Sequence, residues 1–293
     1  INNWNTSNVN SMYQVFQNCV VFNQPIGNWD TSNVTTMQAM FNTASAFNQD
    51  ITNWRVGNVQ NMQLMFSSAF VFNQNISNWE RNTPTTSTLA NVQNMAAMFN
   101  NAYQFNQPIG NWNVSSVTDM NSMFLSARNF NQNLNSWSVA NVQNMASMFQ
   151  DARAFNSNIT SWNTGAVTNM YRMFSNIDTV TVLFNQPIGV WNTSNVQNMG
   201  EMFYFCTSFN QPIGTWNISN VTNFSGFMTG KTAADYSTTN YNALLNGWSS
   251  RPVQPNITIN FTGIQYTNAG GSAARAILTG APNNWTIFDG GGI

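Results

Sequence analysis

The chain has 293 residues, of which only 6% are Asp, Glu, Lys or Arg, and its net charge is −1. That excludes a basic stripe for nucleic acid and a polybasic membrane patch, and it leaves little self-repulsion to oppose association. With 42% apolar residues the chain can bury a core, which excludes disorder.

No apolar run reaches the length of a membrane span. The chain opens on Ile1, in mid-repeat, with neither an initiator Met nor a signal-peptide pattern. A removed or longer upstream piece is the expectation.

From the first residues onward one pattern returns: V-x-x-M-x-x-M-F-x-x-A-x-x-F-N-Q-x-I-x-x-W. Its valines are Val9, Val34, Val59, Val92, Val117, Val142, Val167, Val196 and Val221. Its tryptophans are Trp4, Trp29, Trp54, Trp79, Trp112, Trp137, Trp162, Trp191 and Trp216. The spacing is 25 residues, except for 33 from Val59 to Val92 and 29 from Val167 to Val196. A fixed period in this range predicts stacked repeats.

Within one repeat, Val34, Met37, Met40, Phe41 and Ala44 fall at helical spacing and predict a short helix. Ser32 or Asn33 is placed to cap it, and Ser194 with Gln197 fits a capping box in another copy. Phe47 to Ile51 predicts a short strand. Pro25, Pro108, Pro187 and Pro212 take the place of Asp50 in other copies, which puts that position at the strand end. The expected fold is therefore an α/β repeat, a leucine-rich-repeat-like right-handed solenoid of about nine 25-residue coils. Each coil would carry a short helix and a short parallel strand, with strands about 4.8 Å apart on the concave side.

Two insertions interrupt the period, near residues 81–88 and 175–183. Both fall at junctions, where loops are tolerated. Arg81, Thr85 and Asp178 in them are candidate contact residues, and ordinary surface loops are an equal reading.

The repeat decays after residue 228, so the expected domains are a repeat array over 1–228 and a C-terminal cap over 229–293. Tyr241, Leu244, Leu245 and Trp248 predict a helix, Ile257 to Phe261 a strand, Ala273 to Leu278 a second helix and Trp285 to Phe288 a last strand. The run Gly290-Gly291-Gly292 reads as a flexible tail.

The N-V-x-x-M-x-x-M-F and F-N-Q-x-I-x-x-W cores resemble the BspA-like leucine-rich-repeat surface proteins, with their 25-residue repeat of the mycoplasma surface lipoprotein type. Tyr241-Asn242-Ala243-Leu244-Leu245-Asn246-Gly247-Trp248 and Trp285-Thr286-Ile287-Phe288-Asp289-Gly290-Gly291 are similar to that family's end segment. The resemblance implies an extracellular or surface-anchored repeat protein used in adhesion. The chain departs from it in its wealth of Asn and Gln and in lacking a lipid-anchor or sorting signal.

The chemistry on offer is sparse. There is no His, which removes the commonest general base and metal ligand. Cys19 and Cys206 occupy the small-residue column held elsewhere by Ala44, Ala69, Ala102, Ala127 and Ala152. They lie too many repeats apart for a disulfide. The carboxylates are scattered, with no facing pair of the kind a glycosidase needs. No catalytic, cofactor or metal residue is predicted, and no cofactor. All sixteen Met residues sit in the repeat motif and read as core rather than as soft-metal ligands.

Two amide columns follow the second Phe. Asn23, Asn48, Asn73, Asn106, Asn131, Asn156, Asn185 and Asn210 are expected to bond up and down the stack as a structural ladder. Gln24, Gln49, Gln74, Gln107, Gln132, Gln186 and Gln211 are a candidate interaction surface for glycans or another copy of the chain. Candidate glycosylation sites include Asn33, Asn75, Asn113, Asn158, Asn192, Asn217 and Asn256. With Asn at about 18% of the sequence, sequons in this number arise by chance.

The sequence thus predicts a non-enzymatic protein working outside the cell or on a surface, which presents a neutral polar face for adhesion to proteins or glycans. The alternative is a self-assembling filament or surface-layer subunit, joined head to tail through an uncapped N-terminal edge. A glycan-active enzyme ranks third. Nucleic-acid binding and membrane insertion are not expected.

Overall fold

In the computed structural model, residues 1–80, 89–177 and 180–293 are described. Coils 1 to 9 are numbered here by their opening valines, Val9 to Val221. One residue of each coil bridges its neighbours in parallel, from Ser11 to Thr36, Asn61, Asn94, Asp119, Asn144, Asn169, Asn198 and Asn223. The repeats therefore lie side by side in chain order.

The coils contain neither the expected helix nor the expected strand. Among the described residues no α-helix precedes Thr238, and the only helical pieces before it are 3-10 turns at Ser77–Glu80 and Ile188–Val190. The Val34-to-Ala44 stripe is instead a run of tight turns, closed by Met40 N–H to Met37 O (3.2 Å), Asn42 N–H to Ala39 O (3.2 Å) and Ala44 N–H to Phe41 O (2.9 Å). The alternate N–H groups leave the coil: Met37, Ala39, Phe41 and Thr43 donate to Asn61, Gln63, Met65 and Ser67 of the next one at 2.7–3.0 Å. Every backbone donor from 37 to 44 except Gln38 is thereby met, three of them within the coil and four across it. Gln38 N–H turns to the Thr36 hydroxyl (3.3 Å).

This pattern places left-handed backbone at two positions in each coil but coil 7, which has one, at the third residue of a turn. Ala39 (φ 56°) and Thr43 (φ 63°) supply it in coil 2, Ala97 (54°) and Asn101 (57°) in coil 4, and Ser122 (55°) and Ser126 (53°) in coil 5. The residues that fill these places are mostly not Gly, so the turns are paid for elsewhere, by packing.

The core is a set of stacked columns. Phe41 lies on Phe47 at 3.8 Å within its coil and on Phe66 of the next coil at 5.6 Å. The tryptophans stack coil on coil, as in Trp29 to Trp54 at 6.5 Å, and each indole N–H donates to the carbonyl of an Ile or Leu one coil back, as Trp54 does to Ile26 (3.2 Å). Packed helices need about 8–10 Å between axes. At this ring spacing no helix fits in a coil, which is the physical reason the α/β leucine-rich-repeat-like expectation fails there.

The Asn wealth is corner chemistry. An Asn or Asp side-chain oxygen that accepts the N–H two residues on makes a turn without help from the backbone. Asn61 does this for Gln63, Asp119 for Asn121 and Asn198 for Gly200. Asp50 does it for Thr52 and Asn133 for Asn135, in the column where other coils place Pro. The same bond dominates at Ser194, whose N–H goes to Asn192, in place of a capping box. Hydrogen bonds from Ser32 and Thr52 hold the Asp30 and Asp50 carboxyls below their ordinary values.

Beyond the coils the predicted elements appear: α1 (Thr238–Ser249), β1 (Thr258–Phe261), α2 (Asn268–Thr279) and β2 (Thr286–Asp289). Strands β1 and β2 pair in parallel, Thr258 opposite Thr286. Helix α1 takes the place of the second half of coil 9. Its Trp248 N–H donates to Ile213 O (3.3 Å), continuing the tryptophan column. Gly247 lets it come this close, since a Cβ there would meet Gly214 O at 2.0 Å. Arg275 of α2 pairs with Asp289 at 2.8 Å, and Tyr241 of α1 donates to the same carboxylate at 2.8 Å. The glycine tail is tied down rather than loose: Gly290 N–H meets Ile264 O (2.7 Å) and Ile293 N–H meets Tyr266 O (2.9 Å).

Candidate functional site

The two amide columns form one device. The side-chain oxygen of each Asn accepts the backbone N–H of the next Asn: Asn48 N–H donates to Asn23, Asn73 to Asn48, Asn106 to Asn73, and so on until Asn210 donates to Asn185, at 2.8–3.0 Å. The ladder thus runs side chain to backbone, not amide to amide. The Gln side chains close it. Gln74, Gln107, Gln132, Gln186 and Gln211 each donate Nε2 to the Asn of the preceding coil, as Gln49 does to Asn23. All of these are half-buried, while Gln24 in coil 1 is exposed. The Gln column therefore spends its N–H groups on the stack and turns only part of its surface outward.

Of the other predicted residues, Arg81, Thr85 and Asp178 lie outside the described residues. Asn33 donates its amide to Ser7 O (2.8 Å), a bond that a glycan on that nitrogen would disturb. Asn75, Asn113, Asn158, Asn192 and Asn217 are corner residues whose oxygens hold turns, and Asn256 is exposed with left-handed backbone (φ 60°). Cys206 is buried but Cys19, on coil 1, is exposed, and both are free thiols.

A hollow of about 480 Å³ opens between coils 7 and 8, beside the second insertion. Arg172, Asn176, Ile177, Glu201, Tyr204 and Phe205 are among its walls. Glu201 takes the Arg172 guanidinium at 2.8 Å and the Tyr171 hydroxyl at 3.1 Å. Burial and the Glu201 carboxylate raise the Tyr171 phenol above its ordinary value. Tyr204 and Phe205 meet edge to face at 4.7 Å. Ile177 is 60% exposed and Phe205 42%.

Sequence reasoning missed these residues because it read the columns that repeat. The signal was in those that do not. The first left-handed place holds Ala39, Ala97, Ser122 or Ser147 in coils 2, 4, 5 and 6 and the uncharged Gln14 and Leu64 in coils 1 and 3, but the charged Arg172 and Glu201 in coils 7 and 8. The residue two before the Phe of F-N varies likewise, and it builds a small ladder of Phe70 on Tyr103 (4.9 Å) with Arg128 over Tyr103 (4.2 Å).

No curated protein and no solved structure matches the chain. A family model described as "Mycoplasma protein of unknown function, DUF285" matches it three times in tandem, over residues 1–90, 84–182 and 179–269. These spans run through all nine coils and into the helices beyond them, and the chain belongs to this DUF285 family of repeat proteins.

Proposed function

We propose that the chain is a non-enzymatic binding module that works outside the cell or on a surface and offers its outward side chains to a protein or glycan. The observation that supports this reading is how the polar groups are spent. The Asn and Gln columns tie coil to coil, and the acids with described side chains are all held. Asp30, Asp50 and Asp119 close corners. Asp151 takes Ile177 N–H, Asp235 takes Thr232, and Glu201 and Asp289 are in ion pairs. Among the described residues no three of His, Cys, Asp and Glu gather as metal ligands. What varies from coil to coil faces solvent, and variable side chains on a rigid scaffold suit recognition.

The same reading takes the coil stack as a solenoid akin to the BspA-like surface proteins, with turns where their leucine-rich relatives place helices. Binding of the whole chain to arrays of glycans and extracellular proteins tests it. Retention of a defined partner class is expected, and blank arrays of both kinds would overturn it.

A second reading is a subunit that stacks on another copy. It is favoured by the exposed apolar side chains in and just before coil 1: Trp4 (60%), Val15 (44%), Val20 (50%) and Val21 (86%). A preceding coil would cover the same edge. Light scattering separates the two readings, since a monomer at high concentration would end the second.

A further inference from the structure

We propose that the hollow between coils 7 and 8 is a binding site for a neutral pyranose sugar. The proposal rests on the reading of the chain as an outward-facing binding module and gives that module a place and a ligand class.

The first support is that the fold does not ask for these residues. Left-handed backbone is costly under a bulky side chain; coils 4 to 6 fill these positions with Ala, Ser, Asn and Asp, and coils 1 to 3, which admit Gln14 and Leu64, put neither an ion pair nor an aromatic ring there. Coils 7 and 8 place Arg172, Glu201 and Phe205 there, at φ 56°, 53° and 49°. Coil 9 makes room for two of them. A Cβ on Gly226 would lie 2.9 Å from the Glu201 side chain, and one on Gly230 only 2.5 Å from the Phe205 ring. Phe205 thus rests one side on the backbone of the next coil and still leaves 42% of its surface exposed at the hollow.

The second support is the chemistry of the walls. Arg172 and Glu201 neutralise each other at 2.8 Å. An anion entering the hollow meets the carboxylate, and a cation meets the guanidinium, so the site suits an uncharged ligand. The pair still offers spare guanidinium N–H donors and carboxylate lone pairs, and Asn176 and Thr181 line the same space. A pyranose has both matching parts: a flat C–H face to lie on an aromatic ring and a rim of hydroxyls that donate and accept. At about 480 Å³ the hollow is in the range of small-molecule sites rather than of a flat protein interface.

The test is titration of the whole chain with the methyl glycosides of glucose, galactose, mannose and N-acetylglucosamine, followed by NMR. At least one should bind with a Kd of about 1 mM and move the Phe205 and Tyr204 ring signals. Phe205→Gly suits the left-handed position and keeps the fold. It and Arg172→Ala should weaken binding at least about tenfold, while Gln49→Ala, six coils away, should not. No ring shifts at about 50 mM glycoside, or binding unchanged in Phe205→Gly, would overturn the site. So would binding of peptides alone in the hollow. Glycan binding that survives Phe205→Gly removes this site and leaves the wider module standing, whereas blank arrays for the parent chain remove the module itself.

Discussion

The nine coils and the C-terminal region stack in the same direction and solve the same problem with different backbones. In the coils, turns of three and four residues bring an apolar side chain inward and hand alternate N–H groups to the neighbour. After residue 237 two helices of 12 residues do the inward packing, and one parallel strand pair links them. The join is made by side chains that imitate a coil. Ser237 N–H takes the Asn210 oxygen (3.0 Å), Asn240 takes the Gln place on Asn210 (2.8 Å), and Trp248 takes the tryptophan place. Parallel ring stacking ends there too: Phe203 meets Phe227 at 81°. One hydrophobic spacing thus serves both backbones, and local hydrogen bonding decides between them.

The largest effect should come from breaking the stack in its middle. Phe124 is fully buried, with Phe99 and Phe149 each 5.6 Å away. Phe124→Ala should cost about 3–5 kcal/mol. Because each coil is coupled only to its neighbours, urea unfolding followed by far-UV CD should also split into two transitions. Trp248→Ala at the join should cost as much but fray only the C-terminal side. A single unsplit transition in Phe124→Ala would mean that the coils do not behave as a linear array.

The join also predicts a pH effect. Lys231 is 1% exposed, its ammonium donating to Phe209 O (2.7 Å) and Thr207 O (3.4 Å), carbonyls at the edge of coil 8. Burial lowers its pKa from 10.5 to about 8. The buried charge therefore costs stability below pH 8, and the cost is relieved as pH rises from 8 toward 10.5, by up to about 3 kcal/mol. Above pH 10 the trend reverses. Burial raises Tyr236 and Tyr241 above their ordinary 10.0, and the stability they hold below that value is lost as pH climbs. Urea midpoints should rise between pH 8 and 10 in the parent chain and stay flat in Lys231→Met.

Much of this was legible in the sequence. The period, the buried columns and the existence of all four elements after residue 237 followed from spacing, because α1 and α2 carry ordinary helical stripes, though α2 begins at Asn268, five residues ahead of the expected Ala273, behind a Thr267 cap that spacing did not flag. The coil backbone did not follow. Val34, Met37, Met40, Phe41 and Ala44 have the same spacing in a helix and in this run of turns. The discriminating residues, Ala39 and Thr43, are left-handed without being Gly or Asn. The hollow was hidden for a different reason: Arg172, Glu201 and Phe205 stand at positions that vary from coil to coil, and they come together only across coils.

The amide ladder can be compared across the join. Asn106 Oδ1 takes Asn131 N–H (3.0 Å) and Gln132 Nε2 (2.9 Å). Asn106→Ala strands the Asn131 N–H, while Gln132 Nε2 keeps its bond to Asn106 O (3.1 Å), and should cost about 1–3 kcal/mol, with faster hydrogen exchange at Asn131. Asn240→Ala at the join removes one donor and leaves Asn210 Oδ1 still bonded to Ser237 N–H, so about 1 kcal/mol is expected. Equal losses would mean that the ladder has no special weight within the coils.

The smallest effect gives the cleanest separation, because its sign changes with the backbone. Ala97 lies in the Val92-to-Ala102 stripe, which reads as helix, yet its φ is 54°. In a helix Ala→Gly costs about 1 kcal/mol. At a left-handed position Gly removes the Cβ strain and should be neutral to stabilising by up to about 1 kcal/mol. Ala243, exposed in the interior of α1, is the opposite case and should lose about 1 kcal/mol on the same change. Thermal melts of Ala97→Gly and Ala243→Gly should therefore move in opposite directions, and a loss in both would restore the helix to the coils.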